Sequence, residues 1–412
     1  MLLIAPCMIM YGAIFLSSMY NNRENIVVFI GKELLALEFL LLTIYFCMKV
    51  LSGETPATMI YKERIINRLD NALLAIGAYQ ICSERFVKTP RIRVDRDAIV
   101  IDFDGDPAVR KKIESYSDQL STALPKDMLI NGMYFSKSQD ELYIFYDDLN
   151  LDKRVVLENI EQVQALVKQR SYSQLMIDNK RTIDLEKNPG VLIVGESGSG
   201  KTYGTQFLIT QALLKGFEVH ICDIKRTYQA FSKNATFRYT VQGIIDELKA
   251  ITEKIELRSE KMDAILEVDP TAIATCHGFS AVLVVVEEYL ALMNAATPAE
   301  KKVIESLVKR ITTTGRQLGM YLIITMQVSG ADTIDTSIRS NLGVKLVYGN
   351  ASETIYRTAF GQQDVPHIAF DLERGEGLGM IGSQRFLFRT PMIKYKASDV
   401  AAKLSGGELV EL

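Results

Sequence analysis

No tryptophan occurs in the 412 residues, and the three histidines, His220, His277 and His367, stand far apart. They read as core or loop residues. The five cysteines, Cys7, Cys47, Cys82, Cys222 and Cys276, form no CxxC pair. A zinc site and a disulfide framework are therefore not expected, and a reducing compartment suits most of the chain. Neither sign of charge dominates: 47 Lys and Arg stand against 50 Asp and Glu, a net charge of −3. With 48% apolar residues, this excludes wholesale disorder, a collagen repeat and a histone-like basic tail. It does not exclude a local basic surface. At roughly 100–200 residues per domain, the length allows two or three domains.

Charge is also missing locally. From Met1 to Asn22 there is no charged side chain, and MLLIAPCMIMYGAIFLSSMY is long enough to cross a bilayer as a helix. After the polar break NNREN, a second apolar stretch runs from Ile26 to about Met48 and carries Lys32, Glu33 and Glu38. We expect a two-helix transmembrane hairpin over residues 1–50. A single span and a buried hydrophobic hairpin are the alternatives. A cleaved signal peptide fits badly, for want of a basic start and a small-residue cleavage site. Lys49, Lys62, Arg64 and Arg68 follow the second stretch, against Arg23 between the two and, if the second span starts at Leu34, Lys32 as well. The positive-inside rule then sets both termini in the cytoplasm. The expected location is the cell membrane, multi-pass, with nearly all of the chain on the cytoplasmic side.

Residues 51–165 read as a linker helix and a small α+β domain. Ile65, Leu69, Leu73 and Ile76 recur at helical spacing within 60–82, either leading away from the membrane or facing the next core. RIRVDRDAIVIDFDG alternates like a strand pair, Val109–Leu124 reads as a helix, and MYFSKSQDELYIFYDD reads as a hairpin. Residues 85–112 hold eight Lys and Arg against five Asp and Glu. That is most simply a solvated face, with a DNA-facing or subunit-facing surface as the sharper alternative.

Residues 166–412 carry the strongest local pattern. Val191–Val194 suits a buried parallel strand, and Gly195-Glu196-Ser197-Gly198-Ser199-Gly200-Lys201-Thr202 fits GxxxxGKT in full. YGTQFLITQALLKG then reads as a helix ended by Gly216. Strand, loop and helix in this order let backbone N–H groups and a helix N-terminus converge on phosphate. Lys201 is expected to bridge the β- and γ-phosphates of ATP, and Thr202 to hold Mg²⁺. Asp223 sits towards the end of a second strand, FEVHICDIKR, where ligands of open α/β sheets gather. Residues 241–263 read as a charged amphipathic helix. Ala281–Val286 forms a third strand, followed at once by Glu287 and Glu288. The first acid is expected to bind Mg²⁺ through water and the second to polarise the attacking water. MYLIITMQ gives a fourth strand with Gln327 at its end, either a nucleotide sensor or a satisfied strand-end polar residue, and VKLVYG a fifth. The fold expected is α/β: a RecA-like P-loop ATPase core with a parallel central sheet, after a small α+β domain and a membrane hairpin.

These blocks resemble the motor domain of the FtsK/SpoIIIE DNA translocases, within the FtsK/HerA superfamily. The resemblance is carried by TIDLEKNPGVLIVGESGSGKT, CDIKR, VVVEEYLAL, GRQLGMYLIITMQ, IDTSIRSNLGVKLVYGNASETIYRTAFG and a late turn GEGLGM. It runs over about residues 166–390, with a weaker likeness at 90–150 to the small domain before the motor. It implies ATP hydrolysis coupled to DNA translocation by a hexameric ring, with an arginine of one subunit reaching its neighbour's nucleotide. Arg357 falls at the family's arginine position, with Arg316 and Arg339 as alternatives.

This chain departs from the family in Glu287 for Asp, Met320-Tyr321 for Ile-His, and Val328-Ser329 for Arg-Pro. These changes bear on the strength and timing of hydrolysis. With Leu412 about thirty residues after GEGLGM, a DNA-reading winged helix is not expected. A short anchor, small adaptor and bare motor look like the coupling ATPases of Gram-positive conjugative elements. Those proteins link a relaxase–DNA complex to transfer-channel proteins, moving single- or double-stranded DNA. Chromosome or plasmid segregation, and protein secretion, are the alternatives. No metal beyond nucleotide-bound Mg²⁺ is implied.

Overall fold

The computed structural model describes residues 37, 39, 40 and 43, then 55–405 except 84–85, 96–97, 117–119, 121, 126–127, 137, 139, 150–153, 328–333 and 362–371. The membrane hairpin expected over residues 1–50 lies almost wholly outside the described residues. Among the described residues, no helix is long and apolar enough to cross a membrane.

The described chain forms two compact units. The first begins with the helix Pro56–Ala75. Thr55 caps it by accepting the Thr58 N–H at 3.2 Å, and Pro56 takes a first-turn position where its missing N–H costs nothing. Ile65, Leu69 and Leu73, four residues apart, are fully buried. The strands Arg91–Val94 and Ala98–Asp102 pair antiparallel, with Arg91 opposite Asp102. A helix follows over Pro107–Ser115, capped by Asp106, whose carboxylate accepts the N–H groups of Ala108 and Val109. It breaks at Tyr116, and Leu120, Thr122 and Ala123 are helical again, so the helix expected over Val109–Leu124 is interrupted and not continuous. The strands Met128–Phe135 and Glu141–Asp148 are neighbours in a four-stranded sheet; their Tyr134–Tyr143 end belongs to the first unit and the rest of both strands to the second.

The second unit is built on eight strands: β1 (Gly190–Gly195), β2 (Glu218–Asp223), β3 (Thr236–Arg238), β4 (Val282–Glu287), β5 (Met320–Met326), β6 (Val344–Tyr348), β7 (Glu376–Ile381) and β8 (Gln384–Arg389). Their order is β3-β2-β4-β5-β1-β6-β7-β8. The first six in that order are parallel, and β7 pairs antiparallel with both β6 and β8. The expected parallel sheet is therefore the larger part of a mixed one. GEGLGM, expected as a turn, is mostly strand β7. Its glycines serve close packing: a Cβ at Gly377 would lie 2.2 Å from the Val347 carbonyl oxygen, and one at Gly379 2.4 Å from the Phe386 ring.

Helices cover both faces, which is why the central strands read as continuous apolar runs. On one face, α1 (Lys201–Leu214) packs Phe207 and Leu208 against Val191, Ile193, Leu283 and Val285. On the other, α2 (Val241–Leu266) and α4 (Pro298–Thr314) pack against Leu192, Val194, Val282, Val284 and Val286. The short α3 (Tyr289–Ala295) follows β4 directly. Further along, α5 (Thr336–Asn341) precedes β6 and α6 (Glu353–Phe360) follows it. Strand β5 lies between the phosphate-loop strand β1 and the acid-bearing β4. Parallel strands present all their C-terminal ends on one edge, so the loop after β1, the acids after β4 and the turn after β2 meet there.

Candidate active site

The loop Gly195–Thr202 joins β1 to α1. Glu196, Ser197 and Gly198 are exposed, and the loop closes on itself where the Ser199 hydroxyl donates to the Glu196 carbonyl at 2.8 Å. Gly200 precedes α1 with φ 103°, a conformation that only glycine adopts readily. A Cβ there would lie 2.6 Å from the Gly375 nitrogen, and that nitrogen donates to the Ser199 carbonyl at 2.7 Å. The turn before β7 thus seats against the phosphate loop. Arg154 braces it from behind, donating to the carbonyls of Thr390 and Arg374 at 2.9 and 3.0 Å. The loop leads into the N-terminus of a 14-residue helix, whose free N–H groups suit phosphate.

Lys201 is buried, and its ammonium donates to Glu288 Oε1 at 2.6 Å. Lys225, two residues past β2, stands 3.6 Å from the other oxygen of the same carboxylate. Glu288 has φ 49° and ψ 57°, left-handed values that are uncommon for glutamate. That backbone turns Glu288 out of the strand, away from the path of Glu287. Its N–H donates to the Thr325 hydroxyl at 2.9 Å, and that hydroxyl donates to Glu287 Oε2. One buried threonine on β5 therefore ties the two adjacent acids together.

Glu287 is 2% exposed, and burial pushes its carboxyl up to about 7; the Thr325 hydrogen bond and the Lys201 charge oppose the rise. In the register of β2 and β4, Glu287 lies beside Asp223. Asp223 is fully buried, and burial also raises its pKa, against the N–H groups of Tyr228 and Lys225 that its carboxylate accepts at 2.8 and 3.0 Å. The Tyr228 hydroxyl donates to the Thr202 carbonyl at 3.3 Å, tying the turn after β2 to α1. The exposed Thr202 and the carboxylate of Glu287 are oxygen donors of the kind Mg²⁺ takes.

Gln327 stands partly exposed one residue past β5, on the same edge of the sheet. Arg316 lies before β5, at the opposite end of that strand, and donates to the Glu186 carbonyl at 2.8 Å. Arg357 is exposed on α6 and pairs with Glu353 one turn earlier. The fold brings together the phosphate loop, Lys201, Asp223, Glu287 and Glu288, and leaves Arg316 and Arg357 outside that cluster. Thr325 and Lys225 escaped the sequence reading as site residues. Thr325 had a signal, since it stands two residues before Gln327 and strand side chains alternate.

No protein-family model matches the chain. It is 24% identical over 212 residues to the FtsK domain-containing protein YdcQ of Bacillus subtilis, covering 50% of this chain and 44% of that protein. It is 22% identical over 277 residues to the DNA translocase SpoIIIE of B. subtilis, covering 60% of this chain and 34% of that one. The chain thus spans less than half the length of these relatives. Among solved structures it is similar to the pCW3 conjugation coupling protein TcpA, in a monomer form with ATPγS. The TM-score is 0.52 at 18% identity, covering 83% of this chain and 99% of that one. The fold is that of a P-loop ATPase, similar to FtsK/HerA-type proteins at the level of the superfamily and of no particular subfamily.

Proposed function

We propose that this chain is an ATPase that drives DNA translocation and serves as a conjugative coupling protein. The observation that carries the proposal is the cluster at the C-terminal edge of the sheet: a phosphate loop, its lysine, and two adjacent acids linked through one threonine hydroxyl. The likeness to a conjugation coupling protein over 83% of the chain supports the transfer role. In this reading residues 1–50 anchor the chain in the cell membrane, residues 51–165 form an adaptor, and residues 166–412 are the cytoplasmic motor. The motor assembles as a hexameric ring and delivers DNA from a relaxase to transfer-channel proteins.

Residues Gly195 to Gly200 hold the phosphates of ATP through backbone N–H groups, with Lys201 as their cation. Thr202 and Glu287 would hold Mg²⁺, which when bound neutralises phosphate charge. Glu288 is the base that takes a proton from the attacking water, and Gln327 senses the γ-phosphate. When Lys201 turns to phosphate, Lys225 remains as the cation beside Glu288. Arg357 is the first candidate to act on a neighbouring subunit, with Arg316 next.

ATP turnover by the full chain, measured alone and with single- and double-stranded DNA, tests the proposal. Stimulation by DNA, lost in Lys201→Ala, is the expected result. Turnover indifferent to DNA overturns it and favours protein secretion. Failure to bind a relaxase, with DNA stimulation intact, favours segregation instead.

A further inference from the structure

A second feature stands on the same edge of the sheet as the phosphate loop. Between Ile224 and Gln242 the chain carries four basic residues, Lys225, Arg226, Lys233 and Arg238, and no acidic one. All four are exposed, and two of them face acids from outside the segment: Arg238 Nε lies 2.9 Å from Glu247 and Lys225 Nζ 3.6 Å from Glu288. This segment leaves β2, forms the outermost strand β3 and enters α2. Its first turn is well held. The buried Asp223 carboxylate accepts the N–H groups of Lys225 and Tyr228, and the Arg226 N–H donates to the Asp223 carbonyl at 3.2 Å.

Within that turn Arg226 has φ 59°, a left-handed conformation in which a non-glycine residue is uncommon and worth explaining. The turn carries its guanidinium over the ring of Tyr239, 3.9 Å from the centroid. Tyr239 is 43% exposed and lies just past β3, with the Phe237 ring 6.2 Å away. A planar cation and an aromatic ring therefore stack in the open, beside further positive charge. Phosphate binding alone needs no aromatic ring. Unpaired bases do use one, because their π-faces are free, whereas a duplex covers them.

We propose that Arg226 and Tyr239 form a stacking platform for the bases of single-stranded DNA. The proposal rests on the DNA-translocation reading and specifies which form of DNA this surface grips. Lys225, the neighbour of Arg226 in sequence, is the residue that stands 3.6 Å from Glu288. A strand on the platform is thus one residue from the acid assigned to hydrolysis, a short path for DNA to influence turnover.

The test is binding of a fluorescent oligo-dT of roughly 30 nucleotides, and of a duplex of equal length, to the full chain at fixed salt. Tyr239→Ala should weaken oligo-dT binding about tenfold and leave duplex binding and basal ATP hydrolysis unchanged. Tyr239→Phe, which keeps the ring, should bind as the parent does and so controls for folding. Arg226→Lys, which keeps the charge but not the plane, should also weaken oligo-dT binding. The salt dependence in Tyr239→Ala should stay the same, since no phosphate contact is removed. Equal losses on oligo-dT and duplex would overturn the stacking role, and so would no loss on either. A parent chain that hydrolyses ATP yet binds neither DNA would overturn the DNA-translocation reading itself.

Discussion

The ammonium of Lys201 lies 2.6 Å from a carboxylate oxygen of Glu288, although 87 residues separate them. The side chains of both are about nine-tenths buried or more. Removing one member of a buried pair ordinarily costs about 3–5 kcal/mol, because the other charge is stranded. Here Lys225 is close enough to take part of that role. Lys201→Ala should therefore abolish ATP hydrolysis while costing less than that range in stability. Adding Glu288→Gln should recover part of the loss, as a double-mutant cycle in denaturant would show.

Glu288→Gln by itself keeps the side chain's shape and removes its basicity. Turnover should fall by about 10²–10⁴-fold while nucleotide still binds. Single-turnover hydrolysis set beside equilibrium ATP binding checks this. Unchanged turnover would remove Glu288 from the role of base.

Glu287 carries a pH signature of known sign. Its carboxyl is pushed up to about 7 in the fold from an ordinary value of 4.5. The folded state therefore binds more protons than the unfolded state between those values. The group's contribution to stability is fully present below 4.5 and is lost as the pH rises through 7. The span is on the order of 3 kcal/mol. Glu287→Gln should flatten the decline of stability across that window in denaturant titrations at several pH values. Thr325→Val removes a hydrogen bond that holds this pKa down, so it should move the acid limb of the ATPase pH profile upward.

Gly200 and Gly198 both have positive φ, yet they differ in surroundings. A Cβ at Gly200 would meet the backbone of Gly375, while one at Gly198 would meet nothing within 4 Å. Gly198→Ala should show only conformational strain, about 1–3 kcal/mol. Gly200→Ala should cost more and also raise the KM for ATP, because it separates the phosphate loop from the turn that seats it. Thermal unfolding and steady-state kinetics of the two variants make the comparison.

Arg357 pairs only one turn along its own helix and is 65% exposed, so its ion pair contributes little to stability. Arg357→Ala should leave the melting temperature nearly unchanged and lower DNA-stimulated turnover. Mixing Arg357→Ala with Lys201→Ala subunits should restore part of the activity if the arginine acts across a subunit boundary. Loss of activity without such rescue would point to Arg316.

Much of the second unit was legible before its fold. Val191–Val194, the glycines and the apolar positions of α1 are consecutive, and their geometry follows from local backbone preference. The same holds for the pair Glu287-Glu288 at the end of an apolar run. Helix breaks were less legible: the helix expected over Val109–Leu124 is interrupted at Tyr116. The GEGLGM segment misled because its glycines suggest a turn. In the structure most of them let Val347 and two aromatic rings approach a strand.

The sequence by itself determined that a phosphate loop, its lysine and a pair of acids exist, because each is set by neighbours along the chain. Tertiary structure alone decided how they are shared. The strand order puts β5 between β1 and β4. Thr325 then bridges two acids 37 and 38 residues away in sequence. A left-handed backbone at Glu288 sends two adjacent glutamates to different partners: one to a buried hydroxyl, the other to two lysines from separate loops. No spacing along the chain encodes that division, because it depends on which strand ends the packed sheet brings to one edge.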